Sequence, residues 1–224
     1  MARILPFLLL PLLYVGVPLA LTWGPPYLQA HYGISCRLYV IPALLLLAGA
    51  FFAGERIAGN VRLRELFRLG VSARDWAAML ARFAAMAAIL TGWLWAVSPE
   101  SLFAFPKSNP RFWAIVMVCY PILSVFPQGF LYRWFYERHF AALFSRTGSL
   151  LVGALLFSFA HILFRNPYAL AFTFVGGLFF LSSYRKTGSV LFSNIEHALF
   201  GDFLFTVGWG AYFYEGTQRM VETL

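Results

Sequence analysis

Runs of about twenty apolar residues recur along this 224-residue chain. At roughly 1.5 Å of rise per helical residue, such a run crosses a hydrocarbon core about 30 Å thick. Lipid offers no partner for a backbone N–H or C=O, so runs of this kind must fold as helices. Spans are predicted at about 4–23, 38–53, 76–97, 112–136, 149–164, 168–183 and 189–214. The expected fold is therefore all-α: a polytopic helical membrane protein with seven transmembrane helices. With no internal repeat or low-complexity linker, residues 1–224 read as a single membrane domain. Composition agrees, because 12% of the residues are charged, about half the usual fraction in a soluble domain.

The net charge of +8 does not imply nucleic-acid binding. Lysine and arginine in short loops orient membrane helices, and no stretch between spans is long enough for a soluble basic domain. With the N-terminus in the cytoplasm, Arg3, Arg56, Arg62, Arg64, Arg68, Arg74, Arg138, Arg146, Arg185 and Lys186 fall on the inner side. Arg37, Lys107, Arg111, Arg165 and Arg219 then fall on the outer side. That asymmetry favours the N-in orientation, as an integral protein of a bacterial inner membrane. The first run is longer than the roughly 7–15 apolar residues of a secretory signal and lacks a clean cleavage site, so it is expected to be retained. Two cysteines, Cys36 and Cys119, make no disulfide framework.

The second loop, GERIAGNVRLRELFRLGVSARD, places Leu63, Leu66 and Phe67 at helical spacing. A short amphipathic helix on the inner leaflet is expected, with a solvated basic loop as the alternative. Ser72 followed by Asp75 resembles a capping box opening the third span. Arg82, about two turns inside that span, is expected to snorkel to the interface.

Ionisable residues inside spans are costly and mark function. Here they are Arg133, Glu137, His161, Glu196, His197 and Asp202, with Gln128 as a neutral companion. Counting helical rise from the inner surface puts Gln128 about 15 Å, His161 about 18 Å and His197 about 13 Å deep. The three depths converge near the midplane. Bland alternatives exist for each: a histidine bonding a neighbouring helix, or an i,i+4 ion pair between Arg133 and Glu137. Pro121 and Pro127 are expected to break the fourth helix and open space beside Gln128. Gly176 and Gly177 are expected to allow close helix packing.

Three short motifs on separate spans carry a resemblance. Gln128-Gly129-Phe-Leu-Tyr-Arg133 aligns with Glu-Glu-x-x-x-Arg. Phe157-Ser-Phe-Ala-His161 matches Phe-x-x-x-His. His197-Ala-Leu-Phe-Gly201-Asp202 aligns with His-x-x-x-Asn/Asp, its last position one residue late. In this order the set is similar to the CAAX-protease and bacteriocin-immunity family (CPBP, or Abi), the glutamic-type intramembrane endopeptidases. The resemblance covers roughly residues 120–205, within a core at 112–214; the spans of residues 1–111 add nothing to it. It implies that His161 helps activate water, that His197 and less directly Asp202 stabilise the oxyanion, and that Arg133 anchors the first motif. It implies a membrane-associated peptide or protein as substrate; no cofactor and no bound metal are expected.

The first motif departs from the family at both glutamates. Gln128 is an amide and takes up no proton near neutral pH; Gly129 has no side chain. Losing a general base costs about 10²–10⁴-fold in rate. Glu137 lies too far along the helix to substitute, and Glu196 points about 100° away from His197 on an ideal helix. The expectation is an intramembrane endopeptidase inactive as written, with Gly129 the first suspect for an engineered replacement. The alternative is a non-catalytic membrane protein, an immunity factor or a partner-binding pseudoprotease. A metal site on His161 and His197 with Asp202 or Glu196 is a third reading. A proton-coupled transporter finds no support in an inverted repeat.

Overall fold

The structure, a computed structural model, describes residues 5–32 and 39–213. Among the described residues seven helices are long and apolar enough to cross a membrane: Phe7–His31, Val40–Ile57, Ala73–Val97, Pro110–His139, Arg146–Phe164, Pro167–Thr187 and Val190–Val207. These are called the first to seventh spans. Among the described residues there is no strand. The protein is an integral membrane protein with an all-helical fold, as the apolar runs require. The first span runs past its predicted end at 23. The seventh stops at Val207, where Gly208 takes a positive φ of 129° and a short 3₁₀ turn, Trp209–Tyr212, follows. Cys36 and Arg37 lie outside the described residues, as do Arg3 and Arg219.

The basic second loop contains a single helical turn, Leu63–Leu66. Of Leu63, Leu66 and Phe67 only Leu66 is buried, while Leu63 and Phe67 stay exposed; Val61, just before them, is buried as well. Phe67 stacks on Phe126 of the fourth span, and the Arg68 carbonyl accepts from Ser189 Oγ at 2.5 Å. The loop is thus fastened to the helix bundle, with an apolar edge still exposed. Ser72 caps the third span as expected, accepting from Asp75 N at 3.2 Å.

Arg82 is tied to a partner inside the bundle. Its Nη2 lies 2.7 Å from Glu196 Oε1 and 3.0 Å from Ser183 Oγ. The reason is Glu196, which is fully buried; a carboxylate out of water needs a cation, and Arg82 supplies it. Glu137 likewise pairs with Arg185, at 2.6 Å, rather than with Arg133.

The fourth span is where the helix departs from regularity. It widens to π-helix at Pro121–Val125 and again at Phe130–Phe135, flanking one α-helical turn, Phe126–Gly129. Proline removes a backbone donor and crowds the preceding turn, and π-bulges collect at functional sites. The turn carrying Gln128 and Gly129 is held between the two widened stretches. The fifth and sixth spans pack closely: a Cβ on Gly177 would lie 3.0 Å from Ala154 Cα. The N-terminal spans contribute more than cover. Fully buried Tyr14 donates to the Leu131 carbonyl at 2.7 Å, inside the second widened stretch.

Candidate active site

Arg133, His161 and His197 converge on one aromatic ring. Phe157 lies edge-on to His161 at 4.9 Å and to His197 at 5.3 Å between ring centroids. The Arg133 guanidinium sits 5.4 Å from the same ring and 5.2 Å from Phe180. Phe180 also stacks on His197 at 4.6 Å. The phenylalanine of the second motif is thus the surface against which the three polar residues rest.

The hydrogen bonds fix the tautomer of each histidine. Arg133 Nη2 lies 2.9 Å from His197 Nδ1. A guanidinium has only donors, so Nδ1 accepts and the ring proton sits on Nε2. An imidazolium would have no lone pair there and would face a buried cation, so His197 is held neutral. His161 is the reverse case. Its Nδ1 lies 2.8 Å from the Phe157 carbonyl, which can only accept. Nδ1 therefore carries the proton, and Nε2 is left as an unprotonated acceptor. The carbonyl is free for this because regular helix ends at Phe159 and the His161 amide turns back to Ser158 at 2.9 Å. His161 thus lies in the turn closing the fifth span, not inside a continuous helix. One histidine presents a lone pair and the other an N–H.

The first motif holds no carboxylate. Gln128 donates from Nε2 to Ser124 Oγ at 2.8 Å, and its Oε1 is buried with no partner among the described residues. Neither atom is bonded to a histidine. Beside it, a Cβ on Gly129 would lie 1.9 Å from Asn194 Oδ1 and 2.6 Å from Asn194 Cγ, so a side chain there would require Asn194 to move. Asn194, one turn before His197 and 5% exposed, fills that space. Neither of its amide atoms has a partner among the described residues, and the same is true of Arg133 Nη1. Gly129 is therefore half of a fitted pair, not an empty position in a glutamate-shaped pocket. No carboxylate among the described residues lies within ion-pair distance of Arg133.

Asp202 is half-buried on the seventh span, and its Oδ1 has no partner among the described residues. It makes no hydrogen bond to His197. What His197 meets instead is Tyr120, whose hydroxyl oxygen lies 3.1 Å from Nε2. Neither Tyr120 nor Asn194 stands out in the sequence. Asn194 has one signal there, its position a helical turn before His197; Tyr120, far away in sequence, has none.

The donor set does not suit a metal ion. His197 offers a protonated Nε2 and receives a guanidinium at Nδ1, and Glu196 is committed to Arg82. Among the described residues no three His, Cys, Asp or Glu side chains come together to hold a metal.

Residues 110–201 match the family model described as type II CAAX prenyl endopeptidase Rce1-like. The resemblance drawn from the three motifs is borne out over the stretch that contains Gln128, Arg133, His161 and His197. The match ends at Gly201, before Asp202, and leaves out the first three spans. No curated protein and no solved structure matches.

Proposed function

We propose that this chain has the site of an intramembrane endopeptidase acting on a membrane-associated peptide or protein, with the histidine half intact and the carboxylate half replaced. The observation that carries this is the opposite tautomers of the two histidines. His161 Nε2 is left as an acceptor; His197 Nε2 is a donor, held so by Arg133, and its N–H meets the Tyr120 hydroxyl oxygen. Water attack on a peptide carbonyl needs that pair: an acceptor for the water proton and donors for the oxyanion.

In this reading His161 takes a proton from water as the oxygen bonds to the carbonyl carbon. The carbonyl π pair moves to oxygen, on the side of the site held by His197 and Arg133. Collapse then breaks the C–N bond, and His161 returns its proton to the leaving amine. Without a carboxylate to share the water proton, turnover as written falls by about 10²–10⁴-fold. The family description makes a prenylated C-terminal peptide one candidate substrate; other processed membrane peptides fit the same chemistry.

A second reading has one observation in its favour. The Gly129–Asn194 fit is a repacked motif, as expected of a non-catalytic relative that binds a membrane partner, such as an immunity protein.

Position 128 separates the two. Gln128→Glu is isosteric and needs no new space, whereas Gly129→Glu collides with Asn194 unless Asn194 is cut back as well. Membrane proteins from cells expressing the chain, its Gln128→Glu variant and Gln128→Glu/His161→Ala are mapped for new N-termini. New termini with Gln128→Glu alone are expected. Correctly inserted protein giving no new termini in any variant would leave the binding reading.

A further inference from the structure

We infer that Tyr120, rather than Asp202, is the residue that touches the carbonyl oxygen of the substrate as charge develops there. The inference rests on the hydrolytic reading above and adds a catalytic residue to it.

Three observations lead to it. The first is the direction of the hydrogen bonds. Arg133 occupies His197 Nδ1, so Nε2 is an N–H and donates to the Tyr120 oxygen across 3.1 Å. The tyrosine hydroxyl is thereby an acceptor from His197, and its own proton is free to be given elsewhere. No acceptor for that proton is present among the described residues, Asp202 included. The chain of donors runs from a buried cation through a neutral imidazole to one O–H. Each link polarises the next.

The second observation is where the hydroxyl sits. A Cβ built on Gly201, four residues after His197, would lie 2.3 Å from the Tyr120 oxygen. The hydroxyl thus fills the position that a side chain one turn beyond His197 on the seventh span would reach. Gly201 is the residue that lets a donor from the fourth span enter there. Asp202, one residue later, points about 100° round the helix.

The third is rigidity. Tyr120 is the last residue of regular helix before the widened stretch at Pro121. Its ring is held edge-on by Phe205 at 5.4 Å and by His197 at 6.0 Å. A donor fixed by packing before the reaction begins needs little reorganisation when charge appears.

In the attack step the hydroxyl proton stays on Tyr120. Water's proton goes to His161 Nε2, the new C–O bond forms, and the carbonyl π pair becomes the oxyanion lone pair that Tyr120 O–H faces. On collapse that pair re-forms the carbonyl, the C–N bond breaks, and the amine takes the proton from His161.

The test uses the full chain in the Gln128→Glu background, with the membrane peptide whose cleavage that variant produces. Tyr120→Phe removes one oxygen and is expected to lower kcat about 10²-fold with KM unchanged, while Asp202→Asn stays within a few-fold of the parent. Tyr120→Ala/Gly201→Asn moves a donor from the fourth span to the seventh and is expected to recover part of the loss. Cleavage unaffected by Tyr120→Phe overturns the assignment and leaves the hydrolytic reading standing. No cleavage by the folded Gln128→Glu parent removes the hydrolytic reading and this role with it. A separate arm needs no activity. Gly201→Asn alone is expected to lower the unfolding midpoint, and Tyr120→Ala to restore it. A Gly201→Asn variant as stable as the parent overturns the geometry on which the inference stands.

Discussion

The fitted pair at the centre of the first motif makes a prediction about sign. In an ordinary helix Gly→Ala is stabilising by about 1 kcal/mol. At position 129 the new Cβ would lie 1.9 Å from Asn194 Oδ1, against 3.4 Å for an ordinary contact. Asn194 must retreat by the difference, 3.4 − 1.9 = 1.5 Å, inside a closed environment. Overpacking of this kind costs about 1–3 kcal/mol, so Gly129→Ala should be net destabilising by about 1 kcal/mol. Asn194→Ala removes the obstruction together with two buried polar atoms lacking partners among the described residues. Relief of about 1–3 kcal/mol of desolvation offsets the lost packing, so Asn194→Ala alone should lie within about 1 kcal/mol of the parent. In that background Gly129→Ala should become stabilising. The coupling is then about 2 kcal/mol, typical of residues in direct contact. Equilibrium unfolding in mixed micelles of the four chains measures it. A Gly129→Ala effect equal in both backgrounds would refute the claim that Asn194 occupies the side-chain space of position 129.

Other outcomes follow from single contacts. Arg133→Met removes the only donor to His197 Nδ1 among the described residues, so the ring proton should redistribute toward Nδ1; imidazole ¹⁵N shifts read this, and an unchanged tautomer contradicts the account. Arg82→Met leaves the Glu196 carboxylate buried without a cation and should cost about 3–5 kcal/mol. Arg82→Met/Glu196→Met should be milder, and equal losses would mean that the pair is not what holds Glu196. Tyr14→Phe, which removes the bond to Leu131, should cost about 1 kcal/mol in the same unfolding assay, and no loss would mean the first span is not fastened there.

The architecture was legible because lipid leaves so few options. Apolar length alone located all seven spans, and the Ser72 cap was readable from its Asp75 partner three residues on. The residues of the site were legible where a side chain was unusual in oil: Arg133, His161 and His197 stand out for that reason. Their partners were not, because pairing is a property of helix packing. Arg82 read as an interfacial residue until buried Glu196 required it. Glu137 read as a partner for Arg133 because the two are one turn apart, yet Arg185 on another span reaches it. Gly129 read as a missing side chain, whereas Gly201 was passed over in favour of Asp202 as the last position of the third motif. In three dimensions each is the space that a polar group from a neighbouring helix fills, Asn194 in one case and Tyr120 in the other. Sequence reveals that a side chain is absent; only packing reveals what took its place.

The central claim is that His161 retains a working base in a site that has lost its carboxylate. Its most direct measurement is cleavage in ¹⁸O-water by the purified Gln128→Glu variant in liposomes, using the membrane peptide found by terminal mapping. The account predicts one ¹⁸O atom in each new C-terminal carboxyl group, and loss of cleavage when His161→Ala is added. Cleavage that persists without His161, or that yields no labelled carboxyl group, would contradict it.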